Sequence, residues 1–142
     1  MTIAAILSNK GDEVISVDPG RSVANAAALL AERRIGALPV IEHGEVVGIF
    51  SERDVIYCLK DGGAEALQRR VGDVMTAPAL TVTPDEAVIA AMSLMTRRRI
   101  RHLPVVENGR VIGLVSIGDL VKFRIDRVEE DAEALRTYIQ TA

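Results

Sequence analysis

The chain has 142 residues, 49% of them hydrophobic and 3% aromatic, with a formal net charge of −3. That length suits one domain burying roughly two thirds of its unfolded surface; the charge argues against bulk nucleic-acid binding, and no apolar run approaches the ~18 residues of a membrane span. The single cysteine, Cys58, excludes an internal disulfide and fits a reducing compartment. Residues 1–8 lack the basic segment of a secretory signal, so a cytoplasmic location is expected.

Residues 14–17 form a short apolar strand. Asp18-Pro19 then predicts a helix start, with proline in the first turn, and Val23, Ala26, Ala27 and Leu30 recur at helical spacing. Residues 37–41 and 46–50 read as strands joined by a turn around Gly44, and a helix follows from Ser51 to about Lys60. Asp61-Gly62-Gly63 breaks that helix; residues 64–70 predict one or two helical turns, and 71–76 lead onward. A strand is expected at 80–82. Thr83-Pro84-Asp85-Glu86 has the pattern of a capping box, and Val88, Ala91, Met92 and Met95 form the next apolar helix face. Strands at 102–106 and 110–115 precede a last helix from about Ser116. That helix runs on with Val121, Ile125, Val128, Ala132, Leu135 and Ile139 spaced 4, 3, 4, 3, 4. The seam is short for a free coiled coil. It either lies on its own domain or forms a homodimer contact, with the acidic residues between 126 and 133 facing solvent.

The order repeats because the sequence does. Ten of the 21 residues at 35–55 recur without a gap at 100–120, an offset of 65. Leu38-Pro39-Val40, Gly44, Gly48, Ser51 and Asp54 answer to Leu103-Pro104-Val105, Gly109, Gly113, Ser116 and Asp119. Each copy reads β-α-β-β-α, so the fold class is α+β built from a duplicated unit. Half a core is too small alone, so the two units should pack together.

Ser-x-x-Asp at a strand-to-helix junction has two readings. One is a helix cap, in which the serine and the acid satisfy free N–H groups. The other is a ligand clamp: the helix N-terminus suits a phosphate, and a carboxylate suits ribose hydroxyls. Gly48 and Gly113 lie inside strands, where a missing side chain lets another group approach closely. Arg97, Arg98 and Arg99 fit a solvated helix end, whereas Arg101, on a motif strand, is a candidate phosphate contact. Arg53 can serve either as a phosphate ligand or as surface charge, and Lys10 is placed to reach a ligand from the N-terminal segment. His43 falls in a turn. No P-loop, metal-ligand spacing or nucleophile–base set is present, so catalysis is not expected.

The doubled unit with its G-h-h-S-x-x-D motif resembles the cystathionine β-synthase (CBS) domain, and the tandem resembles a CBS pair, or Bateman module, of the small stand-alone bacterial type. The resemblance implies two units packed as a pseudo-two-fold pair, divided as residues 1–63 and 64–142, with an extended C-terminal helix. It implies a central cleft for an adenosine ligand: AMP first, since the clamp needs one ribose and one phosphate, with ATP, NAD(H) or S-adenosylmethionine as alternatives. Asp54 and Asp119 would take ribose hydroxyls, and Ser51 and Ser116 phosphate. The base would lie against Ile35, Gly36, Ala37, Ile100, Arg101 and His102, and Val17, Asp18, Val82 and Thr83 would close the pocket. Gly36 stands where the second copy has Arg101, so the clefts should differ in strength or preference. The implied function is a non-catalytic sensor acting through dimer assembly or on an unidentified protein target. The alternative is a structural interaction module without a ligand.

Overall fold

The computed structural model describes residues 1–11 and 13–141. The elements run α1 (Ile3–Lys10), α2 (Val23–Arg33), β1 (Ala37–Glu42), β2 (Glu45–Ser51), α3 (Glu52–Gly62), a 3-10 segment (Gly63–Gln68), α4 (Val71–Val74), α5 (Val88–Arg98), β3 (His102–Glu107), β4 (Arg110–Ser116) and α6 (Ile117–Thr141). β1 pairs antiparallel with β2, and β3 with β4, in matching register: Val40 faces Gly48, and Val105 faces Gly113. The hairpins turn through His43-Gly44 and Asn108-Gly109, all four at positive φ. Two such residues in a row match the twist of the flanking strands.

The segments at 14–17 and 80–82 shrink to single parallel bridges, Val17 with Val40 and Val82 with Val105. The Val17 N–H donates to the Pro39 carbonyl at 3.1 Å, and its own carbonyl accepts from the Ile41 N–H at 2.9 Å. The strand contact exists, one residue long. The helices that follow start later than their prolines suggest. Asp18-Pro19 belongs to a turn in which Asp18 Oδ1 accepts from the Gly20 N–H at 2.9 Å; Ser22 then caps α2 through the Asn25 N–H. Thr83 to Glu86 also closes a turn, the Thr83 N–H donating to Glu86 Oε2 at 2.8 Å, while α5 begins at Val88. The expected capping box thus caps a turn.

Two mainly aliphatic cores result, the first with Phe50 at its centre. Val23, Leu30, Leu38 and Phe50 of the first correspond, at the offset of 65, to Val88, Met95, Leu103 and Val115 of the second, and all are buried. The closing residue of each core comes from the other side of the molecule. Ile3 and Ile6 of α1, which precedes the first unit, sit in the second core; Val71 of α4, which precedes the second unit, sits in the first. Ile6 and Val71 are themselves 65 apart. This exchange explains the strand glycines. A Cβ on Gly48 would meet Met75 Sδ at 2.6 Å and the Thr76 carbonyl at 2.9 Å, and one on Gly113 would meet Leu7 Cδ2 at 2.5 Å. The group that approaches each strand is the chain itself. No described helix is long and apolar enough to cross a membrane.

Candidate functional site

Both Ser-x-x-Asp motifs sit where an edge strand turns into a helix, and both form the cap. The Ser51 N–H donates to Asp54 Oδ2 at 2.8 Å, and the Asp54 N–H donates to Ser51 Oγ at 3.4 Å. In the second copy the Ser116 N–H donates to Asp119 Oδ2 at 2.8 Å, and the Asp119 N–H to Ser116 Oγ at 3.1 Å. The serine hydroxyls and the first turns of α3 and α6 are thereby fixed at the N-termini, where the backbone dipole favours negative charge.

The two carboxylates then differ in their remaining partners. Asp54 is buried at 8% exposure, and its Oδ1 accepts from the Thr76 hydroxyl at 3.0 Å. Asp119 is more open. Its Oδ2 also holds the Lys10 ammonium at 2.6 Å, and Lys10 donates as well to the Leu114 carbonyl at 2.8 Å. Burial opposes ionisation of Asp119, but Lys10 and the Ser116 N–H outweigh it and hold its carboxyl below the usual range. Lys10, flagged in the sequence, therefore meets a motif residue. Thr76 was missed, although the repeat offset places it against Gly11 in the matching approach to the first unit.

A cleft of about 170 Å³ opens between the units beside the first motif. Its polar rim is Ser51, Arg53, Thr76, Arg101 and His102, and its apolar wall is Ile49, Pro78, Ala79, Leu80 and Ile100. Five expected site residues, Ser51, Arg53, Ile100, Arg101 and His102, thus meet in one place, drawn from both units. The wall residues Ile49, Pro78 and Leu80 were not foreseen. The pseudo-equivalent hollow is about 80 Å³ and is bounded by Leu7, Lys10, Ile15, Ile35, Ala37, Gly113 and Leu114. Asp119 lies instead on an outer groove with Lys10, Lys122 and Asp126. A wider, open hollow of about 530 Å³ lies between α2 and α3, lined mainly by Ala27, Leu30, Ala31, Val55 and Ile56. Arg34 and Glu52 also border it, but neither motif serine does, so the smaller inter-unit cleft, which gathers Ser51, Arg53 and Arg101 at the α3 N-terminus, is the better match to an anionic ligand.

Other expected residues fall elsewhere. Val17 and Val82 point into the cores, which leaves only their backbone for a ligand. Asp18 and Thr83 are engaged in their turns, Thr83 through Asp85 and Glu86. Gly36 faces the other unit: a Cβ there would stand 3.0 Å from His102 Nε2 and 2.8 Å from Glu52 Oε1. That packing explains why the first copy has glycine where the second has Arg101. Burial, reinforced by the neighbouring Arg101 cation, pushes the His102 imidazole below its ordinary pKa. Arg53 crosses the cleft and donates from Nη1 to the Arg99 carbonyl at 3.1 Å, tying α3 to the end of α5. Among the described residues, no group of three or more His, Cys, Asp or Glu could hold a metal ion.

Known proteins resemble the chain in sequence and in fold. The mitochondrial CBS domain-containing protein CBSX3 of Arabidopsis thaliana is 35% identical over 98% of this chain and 72% of its own length. The crystal structure of the CBS-domain containing protein ATU1752 of Agrobacterium tumefaciens superposes with a TM-score of 0.83 at 40% identity, covering 87% of this chain and 92% of that one. CBSX2, solved in complex with AMP, matches with a TM-score of 0.73 at 28% identity over 88% and 96% of the two chains. The CBS domain pair of protein MJ0100, solved with 5-methylthioadenosine and S-adenosyl-L-methionine, matches with a TM-score of 0.79 at 26% identity over 89% and 98%. The CBS domain profile itself matches residues 7–61 and 71–126, and the chain belongs to the CBS domain family as a tandem pair.

Proposed function

We propose that the protein is a non-catalytic sensor that binds an adenine nucleotide in the cleft between its two units, with the first cleft as the principal site. The observation that carries this reading is the convergence of Ser51, Arg53 and Arg101 on a partly apolar hollow. The Ser51 hydroxyl and the α3 N-terminus suit a phosphate, Arg101 adds charge, and Ile49, Pro78, Leu80 and Ile100 offer surface for a purine. The Thr76 hydroxyl on Asp54 Oδ1 occupies the place of a ribose hydroxyl and turns aside when the sugar arrives. On Asp119 the partner is Lys10, bound at Oδ2, the oxygen that also accepts from the Ser116 N–H. AMP fits the single-phosphate clamp best; ATP, NAD(H) and S-adenosylmethionine are the other candidates, and the AMP and S-adenosylmethionine complexes of two structural neighbours support that class. Ligand binding acts by favouring one arrangement of the two units over another. The change is passed on through a homodimer or to a separate protein target.

One observation favours a ligand-free interaction module instead: both carboxylates already have protein partners. A thermal-shift panel of AMP, ATP, NAD, NADH and S-adenosylmethionine separates the two readings. A ligand at 100 times its Kd should stabilise the fold by about 2.7 kcal/mol. The sensor reading predicts such a shift with at least one of the five, and no shift with any of them supports the interaction module.

A further inference from the structure

We infer that α6 is a dimerisation arm that pairs with α6 of a second copy in parallel and in register. This rests on the self-association proposed above and adds the element and the orientation. α6 grips its own unit only at its start. Leu120 is fully buried and Phe123 packs on the second core. Beyond Phe123 every described residue is exposed except the half-buried Ala132. The stretch from 124 to 141 is thus about 27 Å of helix that touches little else.

Its apolar residues face away from that unit. With Ile125, Ala132 and Ile139 at the first heptad position (a) and Val121, Val128 and Leu135 at the fourth (d), Leu120 and Phe123 fall on the opposite face. Ile125, Val128, Leu135 and Ile139 are 52%, 51%, 59% and 65% exposed. Isoleucine at a with leucine at d, as at Ile139 and Leu135, suits a two-stranded parallel pair; Val121 and Val128 at d and Ala132 at a add apolar contact without that preference.

Charge complementarity selects the orientation. Arg124 and Asp131 flank the seam on one side, at g; Glu129 and Arg136 flank it on the other, at e. In a parallel pair each g residue faces the e residue five places on in the other copy. Arg124 then meets Glu129, and Asp131 meets Arg136, giving four opposite-sign contacts over the two-fold axis. In an antiparallel pair with the same seam overlap, Lys122 meets Arg136, Glu129 meets Glu129 and Asp131 meets Asp131, all of like sign. Among the described residues Arg124 and Glu129 have no ion-pair partner within the chain, and Asp131 has only a 3.9 Å contact with Arg127. The seam is short, so the arm works as an extension of two folded modules.

Sedimentation equilibrium of the full chain tests this, with circular dichroism confirming that each variant is folded. The wild type should be a dimer. Leu135→Asp, at an exposed site, should weaken it by about 100-fold, since the pair would bury a charge. Arg124→Glu should weaken it about tenfold through two repulsive contacts, and the double variant Arg124→Glu/Glu129→Arg should restore it. Ile139→Cys should oxidise to a disulfide-linked dimer, because like a positions face each other only in the parallel register; Cys58 is buried and does not compete. A Leu135→Asp dimer of unchanged strength would overturn the arm while leaving self-association intact. A monomeric wild type would overturn both. Cross-linking of Val121→Cys/Ile139→Cys when neither Val121→Cys nor Ile139→Cys alone cross-links would overturn the parallel orientation.

Discussion

The two units share a backbone plan but treat their motif carboxylates differently. Asp54 is buried and held by a neutral hydroxyl from the linker; Asp119 is half open and held by a cation from α1. The difference arises outside the motif, in the segments that cross between units. At the repeat offset Lys10 answers to Met75 and Gly11 to Thr76. Duplication kept the serine–aspartate cap, while the crossing segments left one carboxylate buried and the other half open beside a cation. A single signature therefore yields two unequal junctions.

Substitutions at equivalent positions can break or sharpen that contrast. The largest effect should come from the cores. Phe50→Ala should cost about 3–5 kcal/mol and Val115→Ala, its counterpart, about 2 kcal/mol, since fewer buried carbons are lost. Because α1 and α4 each close the other unit's core, calorimetry should show one transition moving down in both variants. Two separated transitions would mean that the units unfold independently.

The strand glycines come next. Gly48→Ala drives a methyl against the Thr76 carbonyl, which is backbone, whereas Gly113→Ala meets the end of the Leu7 side chain, which can turn. Denaturant titration should place Gly48→Ala about 1–3 kcal/mol below wild type and Gly113→Ala closer to it. Equal losses would remove the distinction between the two crossings.

Smaller effects concern the carboxylates themselves. Thr76→Val leaves Asp54 Oδ1 buried without a donor and should cost about 1–3 kcal/mol. Lys10→Met removes a solvent-screened pair, with side chains 42% and 28% exposed, and should cost about 0.2–1 kcal/mol. Chemical denaturation at neutral pH gives both values, and a larger loss for Lys10→Met would reverse the ranking of the two sites.

The smallest effect is a pH dependence. The His102 pKa is depressed in the fold, so the unfolded chain takes up a proton first as pH falls. The contribution is fully present above the ordinary histidine pKa and is lost as pH drops toward the depressed value. Asp119, also depressed, acts in the same direction but only at acid pH, below the ordinary carboxylate range. His102→Gln should flatten stability between about pH 7 and 5. An unchanged slope would assign it to other groups.

The hairpins, α2, α5 and both serine–aspartate junctions were legible because each rests on local chemistry: period, the paired residues of the turns, and a cap. The offset of 65 alone placed the second copy. The exchange of α1 and α4 was not legible. Ile6 and Val71 are both apolar but share no motif, and nothing local in residues 1–8 says which core they enter. The strands at 14–17 and 80–82 were overread because an apolar run does not reveal that only Val17 and Val82 reach the sheets. The helix starts were misplaced because Pro19 and Pro84 serve turns that precede the true helix starts at Val23 and Val88. For the cleft, the motif pointed to Ser51, Arg53 and Arg101 and the family resemblance to Ile100 and His102, while Thr76, Pro78 and Leu80 come from a linker whose path is set by packing.

The most direct measurement is calorimetric titration of AMP into the wild type and into Arg101→Gly, which gives the second copy the residue of the first. The sensor account predicts saturable binding to the wild type and a loss of about tenfold or more in the variant, the worth of one charge-assisted contact to phosphate. Equal affinity in the two proteins would contradict a principal site beside Ser51 and Arg101, and the absence of any binding heat from AMP, together with a flat thermal-shift panel, would contradict the sensor itself.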